Sequence, residues 1–176
     1  IVLHFEQGEL TGLNDLTYEH PVAAIQALQE IAGAYAIGRD VHVGDTIIGI
    51  KGRVAFEAAA PMLILKAHHA LEKHVLSKWQ LSWKDTLAQF YANWLHEGQV
   101  LDPVMRDIEA FFEHSQQAVT GKVFIQLYPY RFQVNGIESD YDLMGAAFGQ
   151  YGEMNEGYTG NDVRGFSTIF GNQVRI

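Results

Sequence analysis

Three consecutive segments with helical spacing, from about Ala58 to Phe112, separate two strand-rich ends. The first runs from Ala58 to Leu76, with its start around Pro61, and carries Leu63, Leu65, Ala67, Ala70, Leu71 and Val75. The second, Lys78 to Glu97, aligns Trp83, Leu87, Phe90, Tyr91, Trp94 and Leu95 on one face, which predicts burial of that stripe; Gly98 follows as a stop. The third opens at Asp102-Pro103, a capping side chain followed by a proline whose missing N–H costs nothing there, and uses Val104, Ile108, Phe111 and Phe112. A helical middle between strands predicts an α+β chain with a mixed or antiparallel sheet, rather than a succession of βαβ units.

The flanks supply the strands. Val2 to Leu13 alternates around Gly8, as a short hairpin does. Pro21 opens a helix through Val22, Ile25, Leu28, Ile31, Ala32 and Tyr35, weakened at Gly33 and closed at Gly38. Val41 to Val54 reads as one strand interrupted by Gly44 and Gly49, positions where a bulge or a close approach is expected. Thr120 to Leu127 and Arg131 to Glu138 form a hairpin turned at Pro129-Tyr130, with Val123, Ile125 and Leu127 facing Phe132 and Val134. Glycine-rich residues 145–161 predict a long loop or C-terminal arm, followed by an amphipathic piece from Asp162 to Phe170.

Composition removes several function classes. Twelve Lys plus Arg against twenty-one Asp plus Glu leave a net charge of −9, the wrong sign for gripping a phosphate backbone, so no nucleic-acid partner is expected. With no cysteine there is no disulfide, thiolate metal site or thiol nucleophile. The longest apolar stretch, Ala58 to Leu65, contains Pro61 and falls far short of a membrane span, and no basic-then-apolar leader is seen. A strand-like start at Ile1 without Met reads as a piece of a longer chain, and the lack of cysteine is compatible with the reducing cytoplasm where the chain is expected. Neither a Walker-type loop nor a dinucleotide fingerprint occurs.

The remaining chemistry is sparse. His68 and Glu72, four apart on a helix, read as a surface pair before a metal site, and adjacent His69 should point elsewhere. Glu138, Asp140 and Asp142 read as a solvated turn. No metal site is expected. The dense patch is residues 48–57, where Lys51 and Arg53 share a strand face and Gly49 and Gly52 leave backbone room beside them. Two cations on one face either bind a carboxylate or phosphate, or make a charged face in water.

At this patch the chain resembles a known family. GRDVHVGDTIIGIKGRVAFEAAAPMLILKAHHALE resembles the argininosuccinate synthase stretch of the form G-R-x-D-x-x-E-N-R-x-x-G-x-K-S-R-G-x-Y-E-x-P followed by a helix. SQQAVTGKVFIQLYPYRFQVNGIESDYDLM resembles its T-Q-x-x-V-T-G-x-V strand and hairpin, and the run from Gly157 to Phe166 its closing D-x-x-G-F. These anchors come in family order over nearly the whole chain.

The resemblance implies that residues 1–176 are the C-terminal synthetase and oligomerisation domain, with the family's N-terminal ATP-binding half absent. It implies an ATP-dependent, magnesium-requiring ligation of citrulline with aspartate, in arginine biosynthesis, by a homotetramer. This chain alone should then not turn over, and it contributes no catalytic residue. The family holds citrulline with a Glu and a Tyr from this patch. Aligning on Gly49, Lys51, Arg53 and Glu57 puts Gly44 at the Glu position and Phe56 at the Tyr position. One consequence is a substrate acylated on its α-nitrogen, an N-acyl-citrulline, which is neutral and needs room. Another is ordinary citrulline with Asp45 standing in through a bulge at Gly44. A third is a non-catalytic oligomerisation scaffold with a vestigial pocket. Lys51 and Arg53 are candidate supporting groups.

Overall fold

The computed structural model describes residues 1–145 and 154–174, in two compact units, 1–143 and 144–176. The first unit holds a five-stranded antiparallel sheet in the order β3-β2-β1-β6-β7, built from β1 (Val2–Glu6), β2 (Glu9–Leu13), β3 (Leu16–Thr17), β6 (Gly121–Tyr128) and β7 (Arg131–Glu138). Gln7 and Gly8, both at positive φ (48° and 86°), make the two-residue turn between Glu6 and Glu9, and their twist matches the strands they join. Pro129-Tyr130 turns the second hairpin as expected, with Tyr130 at φ 65°.

Helices α1 (Pro21–Gly33) and α2 (Ala59–Val75) cover one face of this sheet. His20 caps α1 by accepting from the Val22 N–H through Nδ1 at 3.2 Å, and Pro21 follows at the first position. Leu28 from α1, Leu63 and Leu71 from α2, and Leu3 and Val123 from the sheet are fully buried in one cluster. That alternation of Val123, Ile125 and Leu127 toward the core is what fixes the register of β6, since a one-residue slip would turn all three outward. Helix α1 stops at Gly33, and residues 34–38 form turns with Ala36 and Gly38 at positive φ, so Tyr35 lies outside the helix expected to contain it.

Residues 41–54 are not one strand. They belong to a hairpin of β4 (Arg39–Asp45) and β5 (Lys51–Glu57), a separate two-stranded sheet. The run Thr46–Ile50 is the turn. The Thr46 hydroxyl donates to the Ile50 carbonyl at 2.8 Å and accepts from the Ile50 N–H at 3.1 Å, while Gly49 takes φ 77°. Ile47 and Ile48 mimic strand residues in sequence yet are exposed here. All described strand pairs are antiparallel, and the fold is α+β.

Helices α3 (Lys78–His96) and α4 (Pro103–Gln116) form as their caps dictate: Ser77 and Gln80 make a reciprocal capping box, and Asp102 accepts from the Val104 N–H at 3.0 Å. The aromatic stripe of α3 departs from expectation. No α3 residue is buried; Trp83 is 58% exposed, Phe90 and Leu95 are exposed too, and only Leu87, Tyr91 and Trp94 are half-covered. Helical periodicity shows that a face is apolar, but a partner surface must exist to bury it. In the first unit α4 supplies part of one, through Tyr91 against Phe112 with ring centroids 5.8 Å apart.

The second unit contains α5 (Gly160–Gly171), started by Thr159 and Asp162 in a second capping box. This is the amphipathic piece expected from Asp162 to Phe170. Residues 146–153 of the expected arm lie outside the described residues. No described helix is long and apolar enough to cross a membrane.

Candidate functional site

The β4–β5 hairpin carries all the substrate-side candidates: Gly44, Asp45, Lys51, Arg53 and Phe56. Its register is one to one from Arg39 opposite Glu57 to Asp45 opposite Lys51, with no bulge. Alternation therefore sorts the candidates onto two faces. Asp45, Lys51 and Arg53 share one. Gly44, Gly52 and Phe56 share the other, and all three of these are half-buried. The Lys51 ammonium and the Asp45 carboxylate pair at 2.6 Å, both strongly exposed, a contact worth at most about 1 kcal/mol. The bulge that would have turned Asp45 toward the Gly44 face is not there: the pairing of Gly44 with Gly52 is regular.

Gly44 and Gly52 stand directly opposite each other, so neither strand contributes a side chain at this pair. Beside them opens a cavity of about 540 Å³ between the hairpin and the end of α3, lined by His42, Asp45, Thr46 and Val54 from the hairpin and by Asn93, His96 and Glu97 from the helix. Phe56 opens elsewhere. It sits four residues from Gly52 along β5, roughly 13 Å at strand rise, and lines a smaller cavity of about 290 Å³ with Met62, Tyr130 and Arg131. The structure thus puts Gly44 and Phe56 on one face but at two separate openings.

Neither set of distant partners was legible from spacing. Tyr130 brings a phenol to the cavity where Phe56 lacks one, from the turn of another hairpin; only its place after Pro129 hinted at an exposed tip. Asn93, His96 and Glu97 come from the C-terminal end of a helix whose aromatic stripe drew attention to its other residues. Among the described residues, no group of three His, Asp or Glu side chains converges to hold a metal ion.

A second constellation lies in the helical layer. Glu72, expected on a surface, is fully buried. Its carboxylate accepts from Lys84 Nζ of α3 at 2.8 Å and from Gln116 Nε2 of α4 at 2.8 Å. His68 and His69 both approach it, at 3.6 and 3.5 Å, so the two adjacent imidazoles converge on one acid after all. Burial opposes the charge on Glu72, but His68, the Lys84 ammonium and the Gln116 amide together hold its carboxyl below the ordinary glutamate value. Burial also pushes His68 down, despite the nearby Glu72. Both shifts have the same sign for stability: over each window the unfolded chain binds more protons than the folded one. The His68 contribution is present above about pH 6.5 and is lost as pH falls from there toward its lowered folded value. That of Glu72 is lost further down, as pH drops through its own lowered value. Urea midpoints measured from pH 7.5 to 4 should therefore decline steadily; a flat profile down to pH 5 would show that His68 does not titrate with unfolding.

The family model for the arginosuccinate synthase C-terminal domain matches residues 1–176. Among curated proteins, the chain is 37% identical over 173 residues to the argininosuccinate synthase of Dictyoglomus thermophilum, covering 98% of the chain and 43% of the relative. It is 33% identical to that of Dehalococcoides mccartyi (99% and 42%) and 35% identical to that of Xanthomonas campestris (97% and 42%). The chain thus spans about two fifths of the length of the relatives it matches.

Proposed function

The chain belongs to the argininosuccinate synthase family, as its C-terminal domain, and from that premise we propose that it forms the citrulline-side wall of an ATP-dependent ligase whose substrate carries an acylated, uncharged α-nitrogen. The ureido oxygen attacks the α-phosphorus of ATP and expels pyrophosphate. The amine of aspartate then attacks the ureido carbon, expels AMP and loses a proton, giving the N-acyl form of argininosuccinate for arginine biosynthesis. Magnesium-bound ATP is held by an N-terminal half of the enzyme, and the residues of this domain bind and orient rather than enter the reacting bonds. Assembly is as a homotetramer in the cytoplasm, for which light scattering of the full-length enzyme is the test.

One observation carries the reading: Gly44 faces Gly52 in an unbulged ladder, and Asp45 is turned to the other face and paired with Lys51. Where the family pattern offers a carboxylate to the α-ammonium, the Gly44–Gly52 pair carries no side chain, and the carboxylate on the hairpin side of the cavity, Asp45, is paired with Lys51. A free ammonium bound without its partner forfeits a charge-assisted bond of about 1.5–3 kcal/mol, roughly ten- to a hundredfold in affinity. An acylated nitrogen carries no charge and has no such loss.

The test is kcat/KM of the full-length enzyme for citrulline, N-acetylcitrulline and N-succinylcitrulline with ATP and aspartate. At least about a tenfold preference for one acylated substrate is expected. Gly44→Glu should move the preference toward citrulline by ten- to a hundredfold, on the same scale. Wild-type preference for citrulline ends the acyl reading, and absence of turnover with all three returns the domain to the scaffold class.

A further inference from the structure

We propose that His42 is a specificity residue that donates a hydrogen bond to the acyl oxygen of the substrate, an inference that rests on the acylated-substrate reading above. Strand alternation puts His42 two residues before Gly44 on the same face. The glycine pair leaves a hollow floored by backbone, and the imidazole folds into it. A Cβ placed on Gly44 would stand 2.5 Å from His42 Nε2 and 3.2 Å from its Cδ2. The tip of the ring thus occupies the spot where a side chain at position 44 would begin. Glycine at 44 and this imidazole position are one arrangement: neither a carboxylate nor even a methyl group fits there until the ring swings away.

The ring is exposed toward the cavity of about 540 Å³, a size that suits a small-molecule ligand. An imidazole nitrogen can donate to a carbonyl, whose oxygen has two lone pairs and no charge. Of the other polar groups at the hairpin side of this cavity, the Thr46 hydroxyl is already donated to Ile50, and the Asp45 carboxylate is paired with Lys51. Asn93, His96 and Glu97 approach from the helix. Glu97 is the competing group, since it could answer an ammonium instead.

The experiment uses the full-length enzyme, with His42→Ala, His42→Gln and Glu97→Gln, and three substrates: N-acetylcitrulline, citrulline, and the desamino analogue of citrulline, which is neutral at that end but has no acyl oxygen. His42→Ala should lower kcat/KM for N-acetylcitrulline about tenfold while changing the desamino analogue by less than about twofold. His42→Gln, which keeps an N–H donor, should recover most of the loss. Equal losses on both neutral substrates, or none on either, overturn the role of His42 and leave the acylated-substrate reading intact. Wild-type preference for citrulline, lost in Glu97→Gln, overturns both, because the missing anion would then come from α3.

Discussion

Lys84→Met is expected to destabilise the domain by about 3 kcal/mol, the scale for removing one partner of a buried ion pair. Glu72 has no exposed surface, and the Lys84 side chain is only 20% exposed. With the ammonium gone, the carboxylate keeps Gln116 and the two histidines but loses its one fixed positive charge. The effect should be large for a second reason. No residue of α3 is fully buried, and this ion pair joins α3 to α2 alongside Leu81, which packs against the core. For a chain of this size the change corresponds to a melting temperature lower by roughly 6–12 °C. Lys66→Met, at an exposed position of α2, should cost less than about 0.5 kcal/mol. Adding Glu72→Gln to Lys84→Met should restore part of the loss, because a neutral amide removes the unpaired charge. If the double variant is no better than the single, packing of the lysine stem rather than charge accounts for the effect.

Gly38→Ala should be comparably damaging, by about 3–4 kcal/mol, through backbone alone. Gly38 has φ 77°, which costs an L residue about 1–2 kcal/mol. An added Cβ would also lie 2.5 Å from the carbonyl carbon of Ala58, 2.6 Å from its oxygen and 2.7 Å from the Ala59 nitrogen. Those atoms are backbone at the start of α2 and cannot rotate aside. Relief must come from shifting the chain, which breaks the 2.9 Å bond from the Ala58 N–H to the Gly38 carbonyl. Gly49→Ala is the matched control: the same φ of 77°, with nothing within 4 Å of the new Cβ. The difference between the two variants in denaturant midpoint isolates the clash. Equal effects would mean that the junction yields without cost. Because Gly38 leads directly into β4, the variant should also loosen the hairpin, seen as faster amide exchange from Arg39 to Glu57.

The two cavities differ in what they ask of a substrate. At the first, the Gly44–Gly52 pair contributes no side chain, while the second keeps Phe56 as an aromatic wall and adds Tyr130 from another hairpin. Two departures that look alike in sequence therefore have different structural outcomes. At the first, the His42 imidazole takes up the spot beside Gly44; at the second, a tyrosine from elsewhere in the chain joins Phe56 in the lining.

What the sequence determined by itself was local and short in range. Asp102-Pro103 fixed a helix start because a cap acts through backbone groups two or three residues away. Pro129-Tyr130 fixed a turn, and alternation at Val123, Ile125 and Leu127 fixed a buried strand face, because each depends on neighbours in the chain. The order of strands, helices and strands settled the α+β class, and the ordered motifs the family. The tertiary structure decided whatever depends on a distant partner. An apolar stripe on α3 is the same sequence whether covered or bare, and here it is largely bare. Glu72 reads as a surface acid until Lys84 and Gln116, twelve and forty-four residues on, close over it. Residues 41–54 read as one strand because Ile47 and Ile48 have strand-like side chains, while the fold spends them on a turn. The face that Gly44 shares with His42, and the turning of Asp45 away from it, follow from a register that only pairing with β5 sets: local chemistry writes the elements, and long-range contact chooses which of their faces meet.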